Sequence, residues 1–357
     1  MSKYELSNLA LKSAFSDNTI ITDDKGLPSV MVFVPKFKIS DVIAGGSDSV
    51  HPAFIVDGVE KDGIYISKYQ NVVYDGRAYS LPGEDPSTLI SIDKAIDLCA
   101  AKGAGWHLMT AMEWGAIALW CKKNGWLPYG NNHYGRDASE SVYKAIPATV
   151  DSEGRTNRSA TGTGPVEWSH NKQLDGIYDL NGNIWEWNGG ARLHYGELQI
   201  LENNNAANSV NSQDESSAQW KAIDGTTGDL ITPDGNGTTP NSIKLDMVVG
   251  HWEWITGNSF NSQDGTSRRY NFKSITAASA ICDKAKELLY ALALLPDDST
   301  FDYKRASMYC NNNEPNRMIS RGGFWESADV ASVFYTGLSF DKTFLATSTG
   351  FRAAYYE

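Results

Sequence analysis

The chain has 357 residues, a formal net charge of −12 and 41% hydrophobic side chains, enough apolar material for one large domain or two ordinary ones. Its acidic balance, without a basic stripe, repels phosphate backbones and excludes nucleic acid as an expected partner. No run of about 20 apolar residues is present to cross a bilayer, and Met1 to Phe15 lacks the apolar core of a signal peptide, so synthesis in the cytoplasm without membrane insertion is expected.

Residues 1–60 read as short strands and turns packed on the main domain, with a buried strand over Val30–Pro35 and a loop at Gly45-Gly46-Ser47. A strand over Gly63–Tyr69 opens the main domain, taken as residues 61–357. Ile92, Ala95, Ile96 and Cys99 fall at helical spacing and predict a helix from Ser91 to Lys102, stopped by Gly103. Thr110 and Glu113 form a T-x-x-E capping box, in which each side chain accepts the other's free backbone N–H. Trp114, Ile117, Ala118 and Cys121 continue that helix's apolar face.

From Ala191 to about Ser242 the composition turns Asn-, Ser- and Gly-rich, as in Asn203-Asn204-Asn205 and Asp234-Gly235-Asn236-Gly237. This reads as hairpins and long loops, with Trp220, Leu230 and Ile231 to bury, and as part of a large insertion at about 191–310. A third helix is expected from Ala278 to Leu295, ended by Pro296.

Cys99, Cys121, Cys282 and Cys310 are scattered, a pattern of buried free thiols in a reducing cytosol rather than of a metal cluster. The six histidines form no H-x-x-x-H pair, and neither a phosphate loop nor a nucleophile elbow occurs. No cofactor is expected. Asp224-Gly225-Thr226-Thr227-Gly228-Asp229 offers oxygen ligands for a structural calcium, without the full spacing of an EF-hand.

Three segments stand out together. They are Gly105-Trp106-His107-Leu108-Met109-Thr110-Ala111-Met112-Glu113-Trp114, then Gly176-Ile177-Tyr178-Asp179-Leu180-Asn181-Gly182-Asn183-Ile184-Trp185-Glu186-Trp187, then Arg321-Gly322-Gly323-Phe324-Trp325 closed by Gly350-Phe351-Arg352-Ala353-Ala354. In this order they resemble the formylglycine-generating-enzyme family, a branch of the C-type lectin fold. The resemblance covers roughly residues 60–190 and 310–357; His107 and Met109 replace the Arg and Pro usual in the first motif. It implies an α+β, loop-rich C-type lectin fold with a large insertion. The family's oxidases bind copper through a cysteine pair in and near the final motif, and here no cysteine follows Cys310. The histidine cluster of the iron-dependent sulfoxide synthases is also missing, so the expectation is a scaffold without enzyme activity. A metal-dependent oxidase of the same fold is the alternative.

The closing segment also resembles the variable proteins of diversity-generating retroelements, phage receptor-binding proteins among them. Arg321, Gly322, Gly323, Trp325, Ala331, Val333, Phe334, Leu338, Gly350, Phe351, Arg352, Ala353 and Ala354 keep that pattern. The resemblance implies an exchangeable, ligand-contacting surface at the positions that depart from it. These are Phe324, Glu326, Ser327, Val330, Ser332, Tyr335, Thr336, Ser339, Phe340, Asp341, Lys342, Phe344, Ala346 and Thr347. Their aromatics alternate with short polar residues and show no clean helix or strand period, a composition shared with antibody loops. Joint truncation of Phe324, Tyr335 and Phe344 is therefore expected to abolish binding without loss of stability. The implied partner is a protein or glycan receptor on a target cell. The implied setting is a virion, as a phage tail protein, or a cell surface, with multivalent display or homo-oligomerisation.

Overall fold

The computed structural model describes residues 18–357, so the expectation for Met1 to Phe15 lies outside the described residues. The chain begins with β1 (Asn18–Thr22), β2 (Pro28–Pro35), a one-turn helix α1 (Ile39–Val42), a short hairpin of β3 (Ile55–Val56) and β4 (Val59–Glu60), and β5 (Gly63–Ser67). A second hairpin, β6 (Val72–Tyr74) and β7 (Arg77–Tyr79), precedes α2 (Ile92–Ala100), β8 (Trp106–Leu108) and α3 (Ala111–Lys123). Then come β9 (Trp185–His194), β10 (Glu197–Ile200), β11 (Lys221–Ile223), β12 (Leu230–Ile231), β13 (Lys244–Val248), β14 (His251–Ile255), β15 (Arg268–Asn271), β16 (Thr276–Ala277) and α4 (Asp283–Ala291). The chain closes through β17 (Ser307–Cys310), β18 (Arg317–Arg321), β19 (Thr336–Asp341), β20 (Thr349–Phe351) and β21 (Ala353–Tyr355). The result is a β-rich, loop-rich α+β fold.

Two sheets organise it. The smaller has the order β1-β2-β5-β21-β8. The larger runs β15-β17-β19-β18-β9-β10-β13-β14-β16, with β11 and β12 extending from β10 and β20 joining β9 in parallel. Strands contributed by residues 191–310 thus pair directly with β9 and β19, so the segment expected as an insertion widens the main sheet. The last two strands are separated by Arg352 alone, yet β20 belongs to the larger sheet and β21 to the smaller.

Helix α3 begins as its sequence predicts. Thr110 Oγ1 accepts from Glu113 N at 3.1 Å, and Glu113 Oε2 accepts from Thr110 N at 2.9 Å. Its residues from Ala111 to Leu119 are all buried, which explains an apolar surface wider than one stripe. Gly115 has no room for a side chain, since a Cβ there would meet the Ala291 carbonyl of α4 at 2.1 Å.

The third expected helix is shorter than its pattern suggested. Thr276–Ala277 pairs with β14 and Ala278 N donates to Trp254 O, which holds the preceding residues out of the helix. At the other end Ala293 takes a positive φ of 50° and Leu294 N turns back to Leu289 O, so α4 stops before Pro296 is reached. Strand β19, where no period was read, is the other correction. Its register with β18 shifts by one residue between Met318 and Ser320, and this bulge breaks the alternation in sequence.

Candidate recognition surface

The three motifs converge on one buried hub. Arg352 donates from Nε to Glu186 Oε2 at 2.5 Å and from Nη2 to Glu186 Oε1 at 2.6 Å, a bidentate pair sealed from solvent. Its remaining donors reach the carbonyls of Ser67 and Tyr178, both at 3.0 Å. Gln70 Nε2 adds a third bond to Glu186 Oε1 at 3.0 Å. Asn183 fixes the turn before β9: it accepts from Ser159 N at 2.8 Å and donates to Gln70 Oε1 at 2.8 Å. Trp114 Nε1 donates to Val333 O at 2.7 Å and ties α3 to the closing segment.

From this hub the chain leaves β18 through Gly322 and Gly323, at φ of 85° and 82°. Gly323 is required by crowding as well as by φ, because a Cβ there would lie 2.8 Å from the Tyr335 ring. Gly322 N donates to Tyr335 O at 3.1 Å, closing a loop that carries Phe324 to Ser332. A second connector, residues 342–348, joins β19 to β20.

The fourteen sequence-predicted contact positions divide in two. Five are buried: Ser327, Ser332, Tyr335, Thr336 and Ser339. Tyr335 is 1% exposed, with its ring 4.5 Å from that of Trp185, and belongs to a small core cluster with Ala331. Thr336 accepts from the Arg321 guanidinium. Ser327 and Ser332 accept the Phe324 and Phe334 amides at 3.0 and 3.1 Å, and Ser339 donates to Tyr309 O at 3.2 Å. These five cannot face a ligand. Their expected role as contacts is corrected to one in packing and turn formation, and joint truncation including Tyr335 cannot be neutral for stability.

The other nine reach solvent to some degree: Phe324, Glu326, Val330, Phe340, Asp341, Lys342, Phe344, Ala346 and Thr347. Phe340 and Phe344 stack at 3.9 Å with planes 12° apart, and Phe344 meets Trp187 edge-on at 6.4 Å. Both are half-buried, rooted on the core by one face. Lys342 pairs with Asp93 at 3.0 Å. Asp341 is held below the usual carboxylate range, chiefly by the Thr343 hydroxyl.

The fold also brings up residues that no motif or spacing marks. Tyr134 donates to the exposed Glu326 at 2.6 Å and lies under the Arg155 guanidinium at 4.3 Å. Arg158 donates to Thr347 O at 3.2 Å while gripping Asp85 at 2.7 and 2.8 Å. The segment around Tyr134 to Arg158 therefore bridges the two connectors, and near them Tyr143, Leu89 and Leu345 are more than half exposed. Tyr309 sits 6.3 Å from Phe340, with Arg269 over its ring at 5.5 Å. Only tertiary pairing reveals these neighbours.

Two other expectations concern metals. Cys310, in the strand preceding the final motif, is fully buried within the apolar core, and burial raises its thiol well above the ordinary range. Burial of this kind disfavours the thiolate that a copper–thiolate centre needs. In the Asp224–Asp229 loop, Asp224 Oδ1 accepts from Thr226 N, Thr226 Oγ1 and Thr227 N, and Asp229 pairs with Lys284 at 2.5 Å. The Asp224 carboxylate thus serves the β11–β12 turn, and that of Asp229 ties the turn to α4.

No protein-family model matches the chain, and no curated protein matches it. Two of the solved structures similar to it are PvdO and the Major Tropism Determinant. PvdO from Pseudomonas aeruginosa has 12% identity and a TM-score of 0.35, over 95% of this chain and 98% of that one. The Major Tropism Determinant P3c variant has 10% identity and a TM-score of 0.31, over 95% of this chain and 71% of that one. With both scores this low, the functional reading rests on the chain's own geometry.

Proposed function

We propose that the chain is a receptor-binding protein rather than an enzyme, built on a C-type lectin fold and of the diversity-generating-retroelement variable type. It contacts its target through the nine solvent-reaching positions at the end of β19 and on the two connectors that flank it. One observation carries this reading: the framework positions of the closing segment are buried and bonded, while these nine lie between them, seven on loops and two, Phe340 and Asp341, at the end of β19. Rigid aromatics rooted on a core, beside adaptable Glu326, Lys342 and Thr347, suit hot-spot recognition of a protein or glycan receptor on a target cell. Multivalent display on a phage tail or cell surface would raise the avidity of such a small patch by about 10²–10⁴.

Sequencing the 3′ end of the gene across a population tests the reading. Substitutions concentrated at the nine positions, with the five buried ones unchanged, are expected. An unvaried stretch from Phe324 to Thr347 would overturn it.

A further inference from the structure

One face of the smaller sheet carries a polar pair beside its apolar row. Asn18 on β1 is in register with Val32 on β2, and Val32 with Ile66 on β5, so these three side chains share a face. Lys68 follows Ile66 by two residues, and its backbone N–H still donates to Val30 O at 3.0 Å, so it emerges on that same face. Its side chain reaches diagonally across β2, and Nζ donates to Asn18 Oδ1 at 2.6 Å. Lys68 is 3% exposed and Asn18 1%. Lysine is almost never buried to this extent unless paired, and burial pushes this amine down from 10.5 to about 8.

The backbone of residues 174–175 closes over the pair. Asn18 Nδ2 donates to Asp175 O at 2.6 Å and Lys68 Nζ donates to Leu174 O at 2.6 Å, so two successive carbonyls hold the amide and the amine against each other. Tyr178 N donates to Lys68 O at 2.9 Å, and the Tyr69 and Tyr178 rings lie 5.6 and 5.8 Å from Nζ. The Asp175 carboxylate acts electrostatically on Lys68 and is held by Asn171 Nδ2 at 2.9 Å. With the amine at about 8, about a tenth of it is uncharged at pH 7, against less than about a thousandth for an ordinary lysine. An uncharged amine fixed against a carboxamide meets the proximity requirement of intramolecular acyl transfer, for which effective molarities reach about 10⁵–10⁸ M.

We propose that Lys68 and Asn18 join through an isopeptide bond, a covalent tie from β1 to the residue after β5 that passes over β2. Nζ attacks Asn18 Cγ: the Nζ–Cγ bond forms, the Cγ–Nδ2 bond breaks, and one Nζ proton passes to Nδ2, which leaves as ammonia. The Asp175 carboxylate carries that proton. No oxidant and no second substrate enters the reaction. The product fastens β1, which pairs with β2 alone, to the interior of its sheet. The pair belongs to the smaller sheet and does not depend on the recognition reading.

Intact-mass spectrometry of the purified full chain under denaturing conditions tests the proposal. The expected mass is lower by one ammonia than that of the sequence, with or without Met1. A tryptic digest should contain a branched peptide that joins the Asn18 and Lys68 segments and is uncleaved after Lys68. Lys68→Met and Asn18→Ala should each restore the sequence mass. Because either change lies at a buried position and can disturb folding, the branched peptide of the parent chain decides the matter without the variants. A full sequence mass in a parent chain that near-ultraviolet dichroism shows to be folded would overturn the proposal. So would a missing ammonia without the branched peptide, the mark of a succinimide at another asparagine, or a deficit that persists in Lys68→Met.

Discussion

Arg352 separates the last two strands by a single residue, and its side chain is satisfied only by groups from other parts of the chain: Glu186, Ser67 and Tyr178. Breaking a buried pair leaves the surviving charge uncompensated, so Arg352→Met or Glu186→Gln should each cost about 3–5 kcal/mol, read from urea midpoints. Tyr335→Ala should lose a similar amount, about 3–5 kcal/mol, because its ring packs on Trp185. Exposed Glu326→Ala and Thr347→Ala should stay within about 0.5 kcal/mol, and equal losses in all three would contradict the division of the contact positions. That division was not legible in sequence. Tyr335 and Phe324 are both aromatics of one short segment without a clean period, and only Gly323 passing against the Tyr335 ring separates them. Two other residues set a pH response. His170 Nδ1 accepts from Ile177 N at 2.8 Å, and burial lowers the imidazole to about 4 from 6.5. Its contribution is therefore lost as pH falls from 6.5 through about 4. Asp179 is raised by burial from 3.8 to about 6, so its ionisation opposes folding and stability falls as pH rises through that window. The two effects oppose each other between pH 4 and 6. Asp179→Asn should therefore show a steeper acid loss of urea stability than the parent, and parallel pH profiles would refute this.

At the scale of elements, legibility followed local signals. Helix α3 was readable because its cap, T-x-x-E, uses neighbours in sequence, and α2 because its apolar spacing is regular. Strand β19 was not, because a bulge set by its pairing with β18 interrupts the alternation. The end of α4 was misread because the stop comes from a left-handed Ala293 and from tertiary bonds rather than from Pro296. Arg321 supplies part of that stop, donating from Nη2 to Leu292 O at 2.5 Å and from Nη1 to Ala293 O at 3.2 Å. The family motif marked Arg321 as important without revealing that it braces a helix end. Arg321→Met should raise amide hydrogen exchange at Leu292 to Leu294 above that elsewhere in α4, whereas a uniform increase across the molecule would indicate a general loss of stability instead.

For the molecule as a whole, the final nine residues join the two sheets: β20 adds to β9 and β21 lies between β5 and β8. A chain ending at Thr349 would leave β5 and β8 unpaired with each other, and it should lose near-ultraviolet dichroism and cooperative unfolding. Retention of a sharp transition would show that the sheets hold without their shared strand. The order of these events along the polypeptide has a biological meaning. The two connectors are translated immediately before the strand that joins the sheets, so a ribosome must read through both of them before β5 and β8 can be linked. A stop arising there would leave β5 and β8 without the strand that lies between them.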